Sequence, residues 1–156
     1  MAHIHEKIDF TLSIFIVKND AVLLHVHKKL GIWLPPGGHI ELDEDPTQAA
    51  LREALEETGL DIQLFGEEPE DFHTIYESKE LIRPRFLQKH FFDESHTHQH
   101  IDLVYFATVR GGEVRPEIEG GQIRWFTRDE LEESKEILPD VRKYALIALE
   151  ELKGDA

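Results

Sequence analysis

Glu53, Glu56 and Glu57 crowd into one short segment, and their spacing sets the first chemical question. On a helix turning roughly 100° per residue, all three carboxylates fall on one face with the small Ala49. Leu51 and Leu55 then point the other way, which predicts a helix that packs by its leucines and gathers acid opposite. Each like-charged pair at i, i+3 or i, i+4 costs a few tenths of a kcal/mol even when exposed, and burial beside a sheet raises that cost. A hard divalent cation removes the conflict, because a set of oxygen ligands suits Mg²⁺, with Mn²⁺ as a substitute. Mg²⁺ keeps positions for water and phosphate oxygens, so the cluster points to a phosphorylated substrate. Gly37 and Gly38 lie just upstream. They let the backbone approach such a site, where a main-chain carbonyl adds another oxygen.

The order Gly38, five residues, Glu44, seven residues, then Arg52-Glu53-Ala54-Leu55-Glu56-Glu57-Thr58-Gly59-Leu60 resembles the complete Nudix box, spanning residues 38–60. The resemblance implies an α/β fold: an α/β/α sandwich around a mixed β-sheet, with the box forming a loop–helix–loop. It also implies hydrolysis of a nucleoside diphosphate linked to another group X. Carried over by position, Glu53, Glu56 and Glu57 bind the metal with help from the Gly38 carbonyl. Arg52 holds a glutamate of the set by a bidentate contact, and Glu44 supports the loop or a metal-bound water. Glu53 is the default general base. Glu119, six residues before Trp125, resembles the position where some relatives add a metal-binding glutamate outside the box. Nucleoside triphosphates are the favoured substrates for so compact a member. Dinucleoside polyphosphates, ADP-sugars and a non-catalytic nucleotide-binding role are the alternatives. Tyr76 lies sixteen residues past the box, where dinucleoside-polyphosphate hydrolases of the family tend to carry a tyrosine. Members of the family often form homodimers.

Outside the box, "HTHQHIDLVYF" places His96, His98 and His100 at alternate positions, one face of an extended chain. Three imidazoles can bind zinc or nickel, but the tract reads foremost as an exposed loop leading into a strand. His100 and Asp102 are candidates to touch substrate. Trp33, Phe91, Tyr105 and Trp125 could each stack on a base, and each reads first as core.

These residues need elements to hold them. Phe10–Val17 reads as a buried strand and Ala21–His27 as its hairpin partner. The "GIWLPPGGHI" stretch is forced onto an irregular path by its prolines and glycines. Asp45 as N-cap, Pro46 at the first helical position and Gln48 in a capping box open the acidic helix, and Gly59 stops it. Further strands are expected within 72–82, 85–92, 101–109 and 123–126. A capping box at Thr127 to Glu130 opens a short helix, and 139–152 reads as an amphipathic helix using Val141, Leu146, Leu149 and Leu152.

With 156 residues, 40% hydrophobic and 31% charged, the chain reads as one soluble domain, residues 1–156. Its 17 basic against 32 acidic residues, net −15, repel a nucleic-acid backbone and exclude a polymeric DNA or RNA partner. A small phosphorylated nucleotide remains compatible, because bound cations invert the local field. No apolar run approaches the roughly 20 residues that span a bilayer, and the first ten residues carry no signal-like apolar core. Cysteine is absent, which suits the reducing cytoplasm.

Overall fold

The computed structural model of the chain describes residues 6–154. Residues 1–5, half of the stretch read above for an export signal, lie outside the described residues. Strand β1 (Ile8–Lys18) turns through Asn19 and Asp20 into β2 (Ala21–Val26). Both turn residues have positive φ, 51° and 59°, the conformation that lets a two-residue turn follow the strand twist. Short β3 (Trp33–Leu34) and β4 (Gly37–His39) follow, then helix α1 (Pro46–Thr58) and β5 (Leu60–Leu64). After a long irregular stretch come β6 (Phe86–Phe91), β7 (Gln99–Gly112), β8 (Ile123–Thr127), α2 (Arg128–Glu133) and α3 (Pro139–Glu151).

The strands form one mixed sheet. β1 runs parallel to β7 from Ile8 beside Gln99 to Val17 beside Thr108. Antiparallel neighbours complete it: β2 and β4 on the other side of β1, β5 and β6 on β7, and β3 and β8 on β2. Both faces of β1 are covered along its second half, where Ile14, Phe15, Ile16 and Val17 form an unbroken buried apolar run. Phe15 and Val17 join Val104 and Phe106 under Val141, Ala145, Ala148 and Leu149 of α3. Leu12, Ile14 and Ile16 face Ala49, Ala50 and Ala54 of α1. The result is the α/β/α sandwich expected from the motif.

Several local expectations need correction. Residues 72–82 form no strand; the stretch is irregular apart from one bridge between Asp71 and Lys79. His73 and Glu77 there have φ of 52° and 55°, a left-handed backbone that cannot continue a pleat. β5 was not anticipated, although its buried residues alternate along Leu60, Ile62 and Leu64. In α3, Val141 and Leu149 are buried as expected, as is Leu152 at its C-cap, while Leu146 packs at the core margin. The largest correction concerns α1: Leu51 and Leu55 are 45% and 51% exposed. The helix packs instead by Ala49, Ala50, Ala54 and Glu53. Small side chains let its axis come close to the sheet, and that closeness carries Glu53 to β4.

Candidate active site

Helix α1 is fixed at both ends by its own sequence. The Asp45 carboxylate accepts from Gln48 N at 2.8 Å, and the Gln48 side chain accepts from Asp45 N at 2.8 Å. Gly59 closes the helix with φ 79°, a left-handed conformation that costs glycine little. Between these caps the acidic residues are set against β4. Because Gly38 lies beside Leu12 in the β1–β4 ladder, its missing side chain faces α1. A Cβ there would sit 2.5 Å from Glu53 Oε1. The Glu57 carboxylate accepts a hydrogen bond from Gly37 N at 2.6 Å. Two adjacent glycines thus receive two glutamates of the helix.

Burial penalises both charges. Desolvation pushes the Glu53 carboxyl up to about 7, partly opposed by the Arg52 guanidinium. It pushes Glu57 up to about 8, partly opposed by the Gly37 N–H. The charges of Glu56 and Glu117 raise both groups further. Acids held this way have a strong appetite for a positive charge, and their donor atoms are all oxygen, as a hard divalent cation requires.

Arg52 ties the group together, and its bidentate contact differs from the expected one. Nη2 and Nε donate to Glu44 Oε1 and Oε2 at 2.6 and 3.0 Å. Glu53 and Glu56 each receive a single bond from Nη1, at 2.9 and 3.2 Å, and the His39 carbonyl accepts from Nη2 at 3.2 Å. Glu44 in turn accepts from Glu41 N at 3.0 Å, closing the loop before α1. Glu44 is therefore the anchor through which Arg52 is aimed.

The other sequence candidates fall in different places. Glu119 is exposed in the segment between β7 and β8, while the glutamate of that segment whose charge reaches Glu53 and Glu57 is Glu117. Tyr76 is 83% exposed in the irregular stretch before β6. Tyr105 is core, and its hydroxyl donates to the Ile82 carbonyl at 3.2 Å. Asp102 is buried on the face of the sheet opposite α1, accepting from the Thr11 and Ser13 hydroxyls at 2.7 Å each. The histidine tract splits: His96 is exposed and stacks on Phe91, whereas His98 and His100 are buried beside Asp9. Burial and the neighbouring histidines push His100 down to about 4.

Asp9, His39, His90 and Glu117 were not anticipated. The alternation of Asp9, Thr11 and Ser13 with Phe10, Leu12 and Ile14 in β1 was a visible sign of a polar stripe on one face.

Comparison with known proteins agrees with this geometry. The NUDIX domain family matches residues 9–146. The crystal structure of a NUDIX-family hydrolase from Clostridium perfringens superimposes with a TM-score of 0.81 at 37% identity, covering 93% of this chain and 98% of that one. A MutT-like protein of Streptomyces ambofaciens is 27% identical over 140 residues, 89% of this chain and 73% of its own length. An m7GpppN-mRNA hydrolase of Danio rerio is 64% identical, but over only 31 residues, 20% of this chain and 10% of that protein. The chain belongs to the NUDIX family, and its match to two of the mRNA hydrolases spans only 10% and 11% of their own length. Among the described residues, no helix is long and apolar enough to cross a membrane.

Proposed function

We propose that the protein is a Mg²⁺-dependent enzyme that cleaves a pyrophosphate bond in a nucleoside diphosphate linked to a further group, with nucleoside triphosphates as its substrate class. One observation carries the reading: Glu53 is buried against Gly38 and Glu57 is half-buried against Gly37, and both carboxyls are displaced well above the ordinary carboxylate range. Glu53, Glu56, Glu57 and the Gly38 carbonyl would hold the cation, with an acid of the 113–121 segment, Glu117 or Glu119, beside them. When bound, that cation supplies positive charge against the phosphate oxygens and makes water more acidic.

The chain's own groups do the rest. Glu53, set against Gly38, takes a proton from the attacking water. Arg52, fixed by Glu44, holds Glu53 and Glu56 in position and keeps its charge throughout. His100, Asp102 and Tyr76 are the proposed substrate contacts. The net charge of −15 favours a free nucleotide over an RNA chain. A cytoplasmic location is the one we expect, with which the cysteine-free composition is compatible, and a homodimer is the assembly we expect in solution.

The test is a screen of nucleoside triphosphates, dinucleoside polyphosphates, ADP-sugars and capped RNA with Mg²⁺, following phosphate and pyrophosphate release. Triphosphates should turn over fastest. Turnover confined to another class would reassign the substrate. No turnover in any class, with the fold intact, would mark a nucleotide-binding module instead.

A further inference from the structure

A second cluster of ligating side chains lies outside the Nudix box. Asp9 on β1 pairs in register with His100 on β7, and His98 enters β7 just before it. His39 on β4 pairs with Thr11, so its side chain shares the face of Asp9 and His100. Asp9, His98 and His100 are 1%, 4% and 7% exposed. One ligand atom from each of these three lies within 4.8 Å of the others. The rings crowd around His100, with centroids of His39, His90 and His98 at 5.1, 5.2 and 5.4 Å.

The orientation of His98 is the informative detail. Its Nδ1 lies 2.9 Å from the Glu6 carbonyl. A carbonyl oxygen only accepts, so Nδ1 carries the hydrogen. The other nitrogen, Nε2, then faces Asp9 Oδ2 at 3.2 Å, and the same oxygen lies 3.2 Å from His39 Nε2. A lone pair and a carboxylate oxygen this close need positive charge between them, a proton or a metal ion. An outer nitrogen tied to a backbone carbonyl, with the inner one turned to a carboxylate, is how metal-binding histidines are held.

We propose that Asp9, His98 and His100 form a transition-metal site for Zn²⁺, with His39 supplying a fourth donor. Two or three imidazoles with one carboxylate are a zinc donor set, whereas Mg²⁺ disfavours imidazole. Bond lengths of about 2.0–2.1 Å in a tetrahedron place ligand atoms roughly 3.3 Å apart, so small ring movements close the site. The ion would clamp the starts of β1 and β7 together and, through His39, the strand that carries Gly38. This assignment uses none of the glutamates of the reaction proposed above; it shares only His100 with that reading, and a bound ion would make His100 a ligand in place of a substrate contact.

The experiment is equilibrium dialysis of chelator-stripped protein against Zn²⁺ in excess Mg²⁺, with Co²⁺ as a spectroscopic substitute. The expected result is one equivalent of zinc that magnesium does not displace, and a visible Co²⁺ spectrum of a four-coordinate site. Both should disappear in Asp9→Asn and in His98→Gln and persist in Glu56→Gln/Glu57→Gln. Zinc that fails to bind under magnesium, survives both of the first substitutions, or vanishes with the glutamates would overturn the proposal. Should the variants not fold, ring-nitrogen NMR of the unaltered protein decides. Zinc must shift His98 Nε2 and His100, and unchanged resonances would refute the site.

Discussion

Arg52 and Glu44 meet through two parallel hydrogen bonds, at 2.6 and 3.0 Å, and this fork aims the remaining guanidinium nitrogen at Glu53 and Glu56. The hydrogen bonds from Arg52, with its charge, hold the Glu44 carboxyl below its ordinary range by favouring the ionised form. A lysine at position 52 keeps the charge but offers one point rather than a fork. Arg52→Lys should therefore lower kcat roughly 10–100-fold, the usual cost of losing an orienting partner, with little change in Tm. Steady-state kinetics alongside thermal melting checks this; an unchanged kcat would contradict the anchoring role.

The two glycines that receive the helix make opposite predictions. At Gly38 a methyl group would meet the far end of the Glu53 side chain, which can swing aside. Gly38→Ala should fold with near-parental stability and lose Mg²⁺ affinity and activity. At Gly37 a Cβ would run into the Leu12 carbonyl of the neighbouring strand, which cannot move without breaking the ladder. Gly37→Ala should cost roughly 1–3 kcal/mol of stability. Denaturant unfolding and a Mg²⁺ titration of both variants separate the two effects.

Glu57→Gln is expected to reduce turnover by about 100-fold or more while the fold survives. The amide retains a carbonyl oxygen to accept from Gly37 N, so local geometry is preserved while the charge is lost. Since burying that charge is costly, the metal-free variant should melt no lower than its parent. Equal rates for the two proteins would remove Glu57 from the metal site.

Stability should depend on pH and metal together. Glu53 and Glu57 hold their protons more tightly folded than unfolded, with carboxyls at about 7 and about 8. Such groups favour the native state in acid, and that contribution fades as pH climbs from the ordinary carboxylate range through those values. A cation replaces the protons. Mg²⁺ should thus raise Tm more at about pH 9 than at about pH 5.5. An equal shift at both would contradict the assignment.

Glu117 and Glu119 are separated by paired substitutions. Because the charge of Glu117 bears on both Glu53 and Glu57, Glu117→Gln should weaken Mg²⁺ binding more than Glu119→Gln does. Calorimetric titration of the two variants reads this directly; the reverse ranking would assign the role to Glu119.

Much of the box was legible because its information is local. Caps at Asp45 and Gly59 and the spacing of the three glutamates fix a helix regardless of surroundings. Which face of that helix packs was not local. Leu51 and Leu55 promise the most apolar burial, yet the alanine face wins because it allows the closest approach to the sheet, and Glu53 is buried with it. His98 and His100 failed for a related reason: their partner Asp9 is about ninety positions away, beyond any periodicity within the tract. Conversely, residues 72–82 contain aromatic and branched residues suited to a strand, and the left-handed backbone at His73 and Glu77 interrupts them.

The parallel ladder of β1 with β7 also governs how the molecule comes into being. Ile8 waits for Gln99, so on a ribosome adding ~5–20 residues per second the first strand stands without its central neighbour for on the order of 10 s. The β1–β2 hairpin and the contacts of β4 with β1 lie close in sequence and need no such delay. The glutamate-bearing half can assemble early, whereas the histidine-bearing half depends on closing a long loop, the slow kind of step in folding.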